Sequence, residues 1–447
     1  MLDPKVFKAY DVRGMYPTEL DEAGAYAIVR AFVEHFGAER IAIGRDMRLS
    51  SPAMAAAAIR GAVDAGAHVF DLGLVGTEMV YFAVGDLDLD GGVAVTASHN
   101  PKEYTGMKIV RQGALPVGGE SGLLEIRDRA LQGFGDPSGA GRVEEVDIWP
   151  AFVDRVLSFV DVDAIKPLKV VIDAANGMAG VMLPPVLERL PRVEAVRYYF
   201  EPDGNFPNHE PNPLLPENRE FIVERTKAEG ADFGVAFDGD ADRCFFVDDS
   251  GDFIAGDFVT ALLADSILKK EPGAKIIYDV RASWAVPDTI DRAGGVPLVN
   301  RVGHAYIKHR MREEGAAFGG EVSGHYYFRD FSQADSGVIP FLLMLELVSR
   351  KGQKLCEILR PLRRRYFITG ELNTPVPDVE AKLAELEQRF SSEGSVSHLD
   401  GVSVDAEDWH FNVRPSNTEP LLRLNLEARS EELMERKRDE VLDVIRA

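Results

Sequence analysis

The sequence predicts an α/β protein built from three related α/β domains followed by a smaller α+β domain. One unit recurs three times, beginning at Arg40, Lys169 and Lys275: apolar strand, polar turn containing Asp, helix, strand. Breaks rich in Gly, Pro or Asp separate the units, as at Gly133–Gly141 (GFGDPSGAG) and Asp248–Gly251. Beyond Pro361 the pattern changes, with helical periodicity at Val379–Phe390 and Glu431–Ile445 and strand runs at Phe411–Arg414 and Leu421–Leu426. The 447 residues fit three or four domains.

The elements follow in order. RIAIGRDMRL (Arg40–Leu49) is a strand and turn, Pro52–Ala65 an alanine-rich helix, and His68–Leu72 the next strand. KVVIDAANGMAG (Lys169–Gly180) opens the second unit, with a helix to Leu190 and a strand over Val196–Phe200. KIIYDVRAS (Lys275–Ser283) opens the third, with a helix to Ala293 and a strand over Val296–Val299. Trp149–Val160 and Phe258–Leu268 read as helices that begin the second and third domains, and the basic run Pro361–Tyr366 (PLRRRY) reads as a linker. The boundaries are therefore set at 1–145, 146–250, 251–362 and 363–447.

Composition narrows the function. A formal charge of −23 disfavours nucleic acid and anionic membrane as partners, because both call for basic surfaces. Two cysteines, Cys244 and Cys356, leave no disulfide framework and no CxxC zinc site, which fits a reducing, cytoplasmic compartment. No apolar segment reaches the ~18 residues of a membrane span.

Four loops carry candidate chemistry. Val93–Val95 end a buried strand, and Thr96, Ala97, Ser98, His99 and Asn100 follow before Pro101 stops regular structure. Ser98 is thus a hydroxyl at a strand end, where open α/β sheets present ligands, although a helix-capping serine would look the same. FGVAFDGDADRCFFV (Phe233–Val247) sets Asp238, Asp240 and Asp242 at alternate positions between apolar strands. It departs from a calcium-binding EF-hand loop at Arg243, at Asp249 and in its flanking strands. Two unit charges ~5 Å apart repel by roughly 3 kcal/mol at an effective dielectric of 20, so a magnesium ion suits this loop. GGEVSGHYYF (Gly319–Phe328) offers Glu321, Ser323 and His325, a donor and acceptor set for sugar hydroxyls, or a polar turn between strands. RPSNTEP (Arg414–Pro420) offers Arg414, Ser416, Asn417 and Thr418 between two strands, the inventory of a phosphate cradle and equally of a hairpin turn.

Together with FKAYDVRG (Phe7–Gly14), the motifs VTASHNP, DGDADR, GEVSGH and RPSNTEP stand in an order that resembles the α-D-phosphohexomutase superfamily over the whole chain. The opening AYDVRG resembles its phosphomannomutase/phosphoglucomutase branch; phosphoglucosamine mutases open with Thr-Asp-Gly instead. The resemblance implies mixed α/β sandwich domains and the α+β domain arranged around a central cleft. It implies a phosphorylated Ser98, with Mg²⁺ bound by Asp238, Asp240, Asp242 and that phosphoserine. Hexose 1-phosphate and hexose 6-phosphate, of mannose or glucose, would interconvert through a hexose 1,6-bisphosphate, in a monomer or homodimer whose partners are small-molecule hexose phosphates. Lys108 and Arg13 would assist at the reacting hydroxyl, and Arg243, Arg281, His304, Glu321, Ser323, His325, Arg414, Ser416, Asn417 and Thr418 would bind substrate. Arg281 stands where the family often has lysine. Three carboxylates, a phosphoserine near dianionic and a dianionic substrate far exceed one Mg²⁺, so these cations have charge to balance.

Two other classes use some of the same residues. A magnesium-dependent sugar phosphatase would lose the serine phosphate to water, although an aspartyl-phosphate phosphatase has no use for Ser98. A non-catalytic sugar-phosphate-binding relative would carry a broken motif, and all are intact here. A Ser-His hydrolase fits less well, since Ser98 lacks the GxSxG elbow.

Overall fold

A computed structural model describes every residue except Met1, Ser138, Ala140 and 417–419. The chain divides into two compact units: Met1–Phe253 with Gly324–Leu355, and Ile254–Ser323 with Cys356–Ala447.

The first unit contains two mixed sheets. One has the order Val12–Met15, Tyr104–Arg111, Gly91–Val95, Arg40–Arg45, His68–Leu74, Arg142–Glu145. Its strands are parallel from Gly91–Val95 outward through Arg40–Arg45, while Tyr104–Arg111 runs antiparallel to both of its neighbours. Gly91–Val95 is buried along its whole length, and Ile28, Phe32, Ile41, Ile43, Met54, Val69, Val93 and Met107 build the core beneath it. The alanine-rich stretch forms the helix Ser51–Asp64, with Pro52 in its first turn, where a missing N–H does no harm. Small residues let it pack tightly on Glu22–Phe36: a Cβ on Gly61 would lie 2.3 Å from the Tyr26 carbonyl oxygen.

The second sheet has the order Cys244–Asp248, Phe233–Phe237, Leu168–Asp173, Val193–Tyr198. Phe233–Phe237 pairs parallel with Leu168–Asp173 and antiparallel with Cys244–Asp248, so the acidic loop turns at the carboxyl end of a central strand. That is where open sheets place ligands. The helix Val338–Lys351 is buried on all sides over Val338–Ser349, as the apolar run Val338–Leu345 requires, and it buries Glu346 and Ser349 as well.

In the second unit, Val296–Asn300, Lys275–Asp279 and Phe318–Gly320 are parallel neighbours. An antiparallel sheet follows, ordered Phe367–Ile368, Leu421–Ala428, Trp409–Pro415, Val402–Asp405, Ser395–Ser397, with Leu372–Pro375 also on Leu421–Ala428. Val379–Phe390 and Glu431–Arg446 are capped by Asp378 and Ser430, and share with this sheet a core that includes Leu386, Phe390, Phe411, Leu424 and Ile445.

Pro361–Tyr366 is not a linker. Leu355–Arg363 is a helix that includes Pro361, with Leu355, Leu359 and Leu362 buried, and Tyr366 is buried after it. The spacing of those leucines sets the helical period, and its solvent face carries the arginines that made the stretch look like a basic connector. Among the described residues no helix is long and apolar enough to cross a membrane.

A pH effect on stability arises here. His410 stacks on Trp284 at 4.5 Å, with Asp405 Oδ1 3.4 Å from its Nδ1 and Glu427 Oε2 3.6 Å from its Nε2. Burial alone would lower its pKa, but the two carboxylates raise it from 6.5 to about 9. A pKa raised by folding contributes stability in full below 6.5, and that contribution is lost as pH rises through 9. The shift corresponds to about 3 kcal/mol. Thermal melting of His410→Gln should therefore fall below the parent at pH 6 and converge on it by pH 9.5; a constant offset across that range contradicts the assignment.

Candidate active site

The loop after Gly91–Val95 is held in an uncommon conformation. Ser98 has φ +51°, in the left-handed region that residues with a Cβ seldom occupy. Its N–H donates to Thr96 Oγ1 at 2.9 Å. Its Oγ lies 3.1 Å from His99 Nδ1 and 3.3 Å from Asp238 Oδ2. The acidic loop comes close enough that a Cβ on Gly239 would sit 2.4 Å from the Ser98 carbonyl oxygen, so only glycine fits there.

Asp238, Asp240 and Asp242 are all buried, and one carboxylate oxygen of each lies within 4.8 Å of the others. Lys108, on the strand Tyr104–Arg111, bridges two of them, with Nζ 2.7 Å from Asp240 Oδ2 and 2.5 Å from Asp242 Oδ2. Burial opposes the Lys108 charge, but Asp240 and Asp242 outweigh it and hold the pKa well above 10.5. Lys108 is therefore a cation and a donor. Asp238 is raised, first by burial and then by repulsion from Asp242 and Asp240. Arg243 offsets part of this, donating from Nε to Asp238 Oδ2 at 2.8 Å, while its buried Nη2 has no hydrogen-bond partner among the described residues.

Two carboxylate oxygens here, Asp240 Oδ1 and Asp242 Oδ1, are buried without a hydrogen-bond partner among the described residues. Leaving such atoms unsatisfied is unfavourable, and a hard cation with oxygen ligands satisfies both. His325 Nε2 stands 3.9 Å from Asp242 Oδ1. Burial lowers its pKa to about 4, against a partial pull from Asp242, so the ring is neutral at pH 7. His99 is neutral too: burial, then the charges of Arg243, Arg13 and Lys108, push it well below 6.5. Arg13 Nη1 donates to Asn100 Oδ1 and its Nη2 to Asp11 Oδ2, both at 2.5 Å.

The second unit gathers another set. Arg281 makes a two-pronged bond to Asp279, with Nε and Nη2 at 2.9 Å, and Asp279 also accepts from the Val322 N–H. Glu321 Oε1 accepts from the N–H of Gly303, the residue before His304, at 3.0 Å. Arg281, Arg414 and Arg423 converge on Glu371, at 3.4, 3.1 and 2.7 Å, and Arg423 Nη2 donates to Ser416 Oγ. Burial alone would raise the Glu371 pKa, yet Arg281, Arg414 and Arg423 pull it down to about 2. Burial and then the neighbouring Arg281 lower the pKa of Arg414, against a partial pull from Glu371.

The first unit thus brings together Ser98, Arg13, Lys108, Asp238, Asp240, Asp242, Arg243 and His325. The second brings together Arg281, Glu321 and the His304 turn, with Arg414 and Ser416 on the same cluster through Glu371 and Arg423. The motif Gly319–Phe328 is divided, with Glu321 and Ser323 in the second unit and His325 in the first. Asn417 and Thr418 lie outside the described residues. Sequence reading missed Glu371, just before the strand Leu372–Pro375, and Arg423, on Leu421–Ala428, single charges with no local motif. It also missed Thr77, whose Oγ1 donates to Asp240 Oδ2 at 2.5 Å across 163 residues of sequence.

Comparison with known proteins identifies the family. Profiles for the phosphoglucomutase/phosphomannomutase α/β/α domains I, II and III match residues 4–132, 150–251 and 255–366, and that for the family's C-terminal domain matches 371–444. The chain is 44% identical over 448 residues to a phosphomannomutase of Salmonella montevideo, covering 98% of each. It is also 44% identical over 447 residues to a protein named phosphohexose mutases in Xanthomonas campestris pv. campestris, covering 98% of this chain and 99% of that one. A crystal structure of a phosphoglucomutase/phosphomannomutase family protein from Burkholderia thailandensis superimposes with a TM-score of 0.90 at 33% identity, covering 99% of this chain and 97% of the other. Matched along nearly its whole length by family and by fold, the chain belongs to the phosphoglucomutase/phosphomannomutase family.

Proposed function

We propose that the protein is a phosphohexomutase that interconverts the 1- and 6-phosphates of mannose or glucose through phosphoserine 98 and a hexose 1,6-bisphosphate. The observation that carries this reading is the Ser98 hydroxyl, 3.3 Å from Asp238 at the edge of an acidic cluster with two orphaned oxygens. A Ser-His acyl hydrolase needs no such cluster beside its serine, whereas phosphoryl transfer from the serine to another oxygen does.

Asp238, Asp240 and Asp242, with the phosphate on Ser98, would hold Mg²⁺. When bound, that ion supplies positive charge to the transferring phosphoryl group. The remaining work falls to the chain. In the first transfer the bond from Ser98 Oγ to phosphorus breaks and one from the sugar hydroxyl oxygen to phosphorus forms, and the proton given up by the sugar hydroxyl is balanced by the one that Ser98 Oγ takes up as it is released. His99 Nδ1 lies 3.1 Å from the Ser98 Oγ that is released, within hydrogen-bond reach of the serine hydroxyl so formed. Lys108, held cationic, stabilises charge at the reacting oxygen, and Arg13 orders the loop through Asn100. After the bisphosphate reorients, its other phosphoryl group passes to Ser98 and the product leaves. Glu321, Ser323 and His325 read sugar hydroxyls, Arg281, His304 and Arg243 complete the substrate contacts, and Arg414 and Ser416, with Asn417 and Thr418, grip the distal phosphate.

Glu371 gives that grip a testable polarity, because it occupies the guanidinium cluster that the distal phosphate would join. Arg414→Ala should lower kcat/KM by roughly 30–150-fold, as loss of a charge-assisted contact worth ~2–3 kcal/mol implies. Glu371→Gln should act the other way, lowering KM by at least about five-fold, since one charge at 4 Å is worth ~1 kcal/mol even in water. Steady-state kinetics checks both, and parent-like values in both variants would place the distal phosphate elsewhere.

The overall reading is tested by phosphorus NMR of the protein with each hexose 1-phosphate, trace bisphosphate and Mg²⁺. Hexose 6-phosphate should accumulate without inorganic phosphate; steady release of inorganic phosphate instead would make the protein a phosphatase.

A further inference from the structure

Arg48 belongs to the first strand–turn unit and touches none of the residues assigned above through their side chains. Its side chain is nonetheless among the largest that are wholly buried. Its guanidinium reaches the back of the Ser98 loop, where Nη2 donates to the carbonyl oxygens of Ser98 at 2.8 Å and Asn100 at 2.6 Å. Nη1 donates to those of Pro101 at 2.8 Å and Tyr104 at 3.2 Å. Asp46 orients the fork, with Oδ2 3.4 Å from Nε and Oδ1 accepting from the Arg48 N–H. Ser51 in turn donates its hydroxyl to Asp46 at 2.5 Å. The Phe206 ring lies over the guanidinium, 5.1 Å from its carbon, and a Cβ on Gly204 would collide with the backbone there, 2.7 Å from Leu49 N and 2.8 Å from Arg48 Cα. Both Nη atoms of the arginine are thus held by hydrogen bonds, while its Nε makes none among the described residues and is met only by the Asp46 charge.

The buried Ser98 carbonyl would otherwise lack the Arg48 donor, whereas that of Pro101 also accepts the Tyr104 N–H at 3.1 Å, and the left-handed Ser98 would lose one of the restraints that sustain it. A planar fork can serve four acceptors spread over seven residues of chain; a lysine ammonium, a point with three donors, cannot span them.

We infer that Arg48 is the positioning residue of the transfer reaction, fixing through four main-chain carbonyls the direction in which Ser98 presents its oxygen. The inference rests on the proposal that Ser98 carries the phosphoryl group. Each turnover makes and breaks a bond at Ser98 Oγ, and the sugar hydroxyl must meet the phosphorus in line. A loop that tilts spoils that alignment without altering any group that binds substrate.

The test is Arg48→Lys, assayed with its parent well below the melting temperature of both. Misplacement on the order of 1 Å lowers rates about 100-fold, so kcat should fall by about that factor while KM stays within about three-fold. Deuterium exchange of the amides over residues 98–104 should accelerate, while the Mg²⁺-induced rise in melting temperature should persist, because the acidic loop is untouched. A merely structural arginine would lower the melting temperature and leave kcat and loop exchange alone, and that result overturns the inference. Arg48→Ala, where it folds, adds a second arm: methylguanidine should restore turnover at least about ten-fold, and ammonium should not. If the parent never gains phosphate on Ser98, the underlying proposal fails. The exchange measurement still judges the clamp separately, and unchanged exchange in Arg48→Lys rejects it.

Discussion

Ser98→Ala should abolish mutase turnover, with kcat lowered on the order of 10⁴-fold or more, the scale on which removal of a covalent nucleophile registers. The loss should be chemical and not structural. Ser98 Oγ makes two long contacts, at 3.1 and 3.3 Å, whereas the loop is fixed by main-chain bonds that alanine keeps, including Ser98 N–H to Thr96. The variant should melt within a few degrees of the parent and retain its Mg²⁺-induced stabilisation through the three aspartates. Intact-mass analysis after incubation with hexose bisphosphate should show one added phosphoryl group on the parent and none on the variant. Full activity in the alanine variant, or a stable phosphate on another residue, contradicts the assignment.

Asp242→Asn should produce the second-largest loss, about 10³-fold in kcat, because it removes a carboxylate from the cation cluster and one of the two anions that hold Lys108. Its effect on folding should be small. Substituting one of three close carboxylates relieves repulsion of roughly 3 kcal/mol per neighbouring pair, and this offsets the lost bond to Lys108. Metal linkage separates the two effects. At 100 times its Kd a ligand stabilises the folded state by about 2.7 kcal/mol, and a hundred-fold weaker site leaves about 0.4 kcal/mol at the same concentration. The melting temperature of Asp242→Asn should match the parent without Mg²⁺ and fall behind it when Mg²⁺ is added. An undiminished metal-induced shift would mean that the ion binds elsewhere.

Much of this was legible in the sequence because it is local. Apolar runs bounded by Asp and Gly mark Arg40–Arg45, Leu168–Asp173 and Lys275–Asp279 as strands within a few residues of where they occur. The alternation of Asp238, Asp240 and Asp242 between two buried strands announces a convergent acidic turn, and the structure has it. Long-range relations were not legible. Thr77 reaches Asp240 across two domains' worth of chain, Glu371 finds three arginines from three separate strand ends, and Arg48 reaches carbonyls of the Ser98 loop. Each is one polar residue in an unremarkable stretch, given meaning only by the tertiary fold. Pro361–Tyr366 misleads for the opposite reason: its proline and arginines are a local linker signal, overridden by burial of Leu355, Leu359 and Leu362. The apolar helix Val338–Lys351 shows the same limit, since its burial follows from composition while its place in the first unit depends on packing.

The central claim is that one phosphoryl group shuttles between Ser98 and hexose phosphates. The most direct measurement is a pulse and chase: the protein is labelled with ³²P-hexose 1,6-bisphosphate, freed of ligand, and mixed with unlabelled hexose 1-phosphate and Mg²⁺. The account predicts that the label sits on the peptide containing Ser98 and transfers to hexose phosphates in a single turnover, with the protein left unlabelled and no label in inorganic phosphate. Label that stays on the protein, maps to another peptide or appears as inorganic phosphate would contradict it.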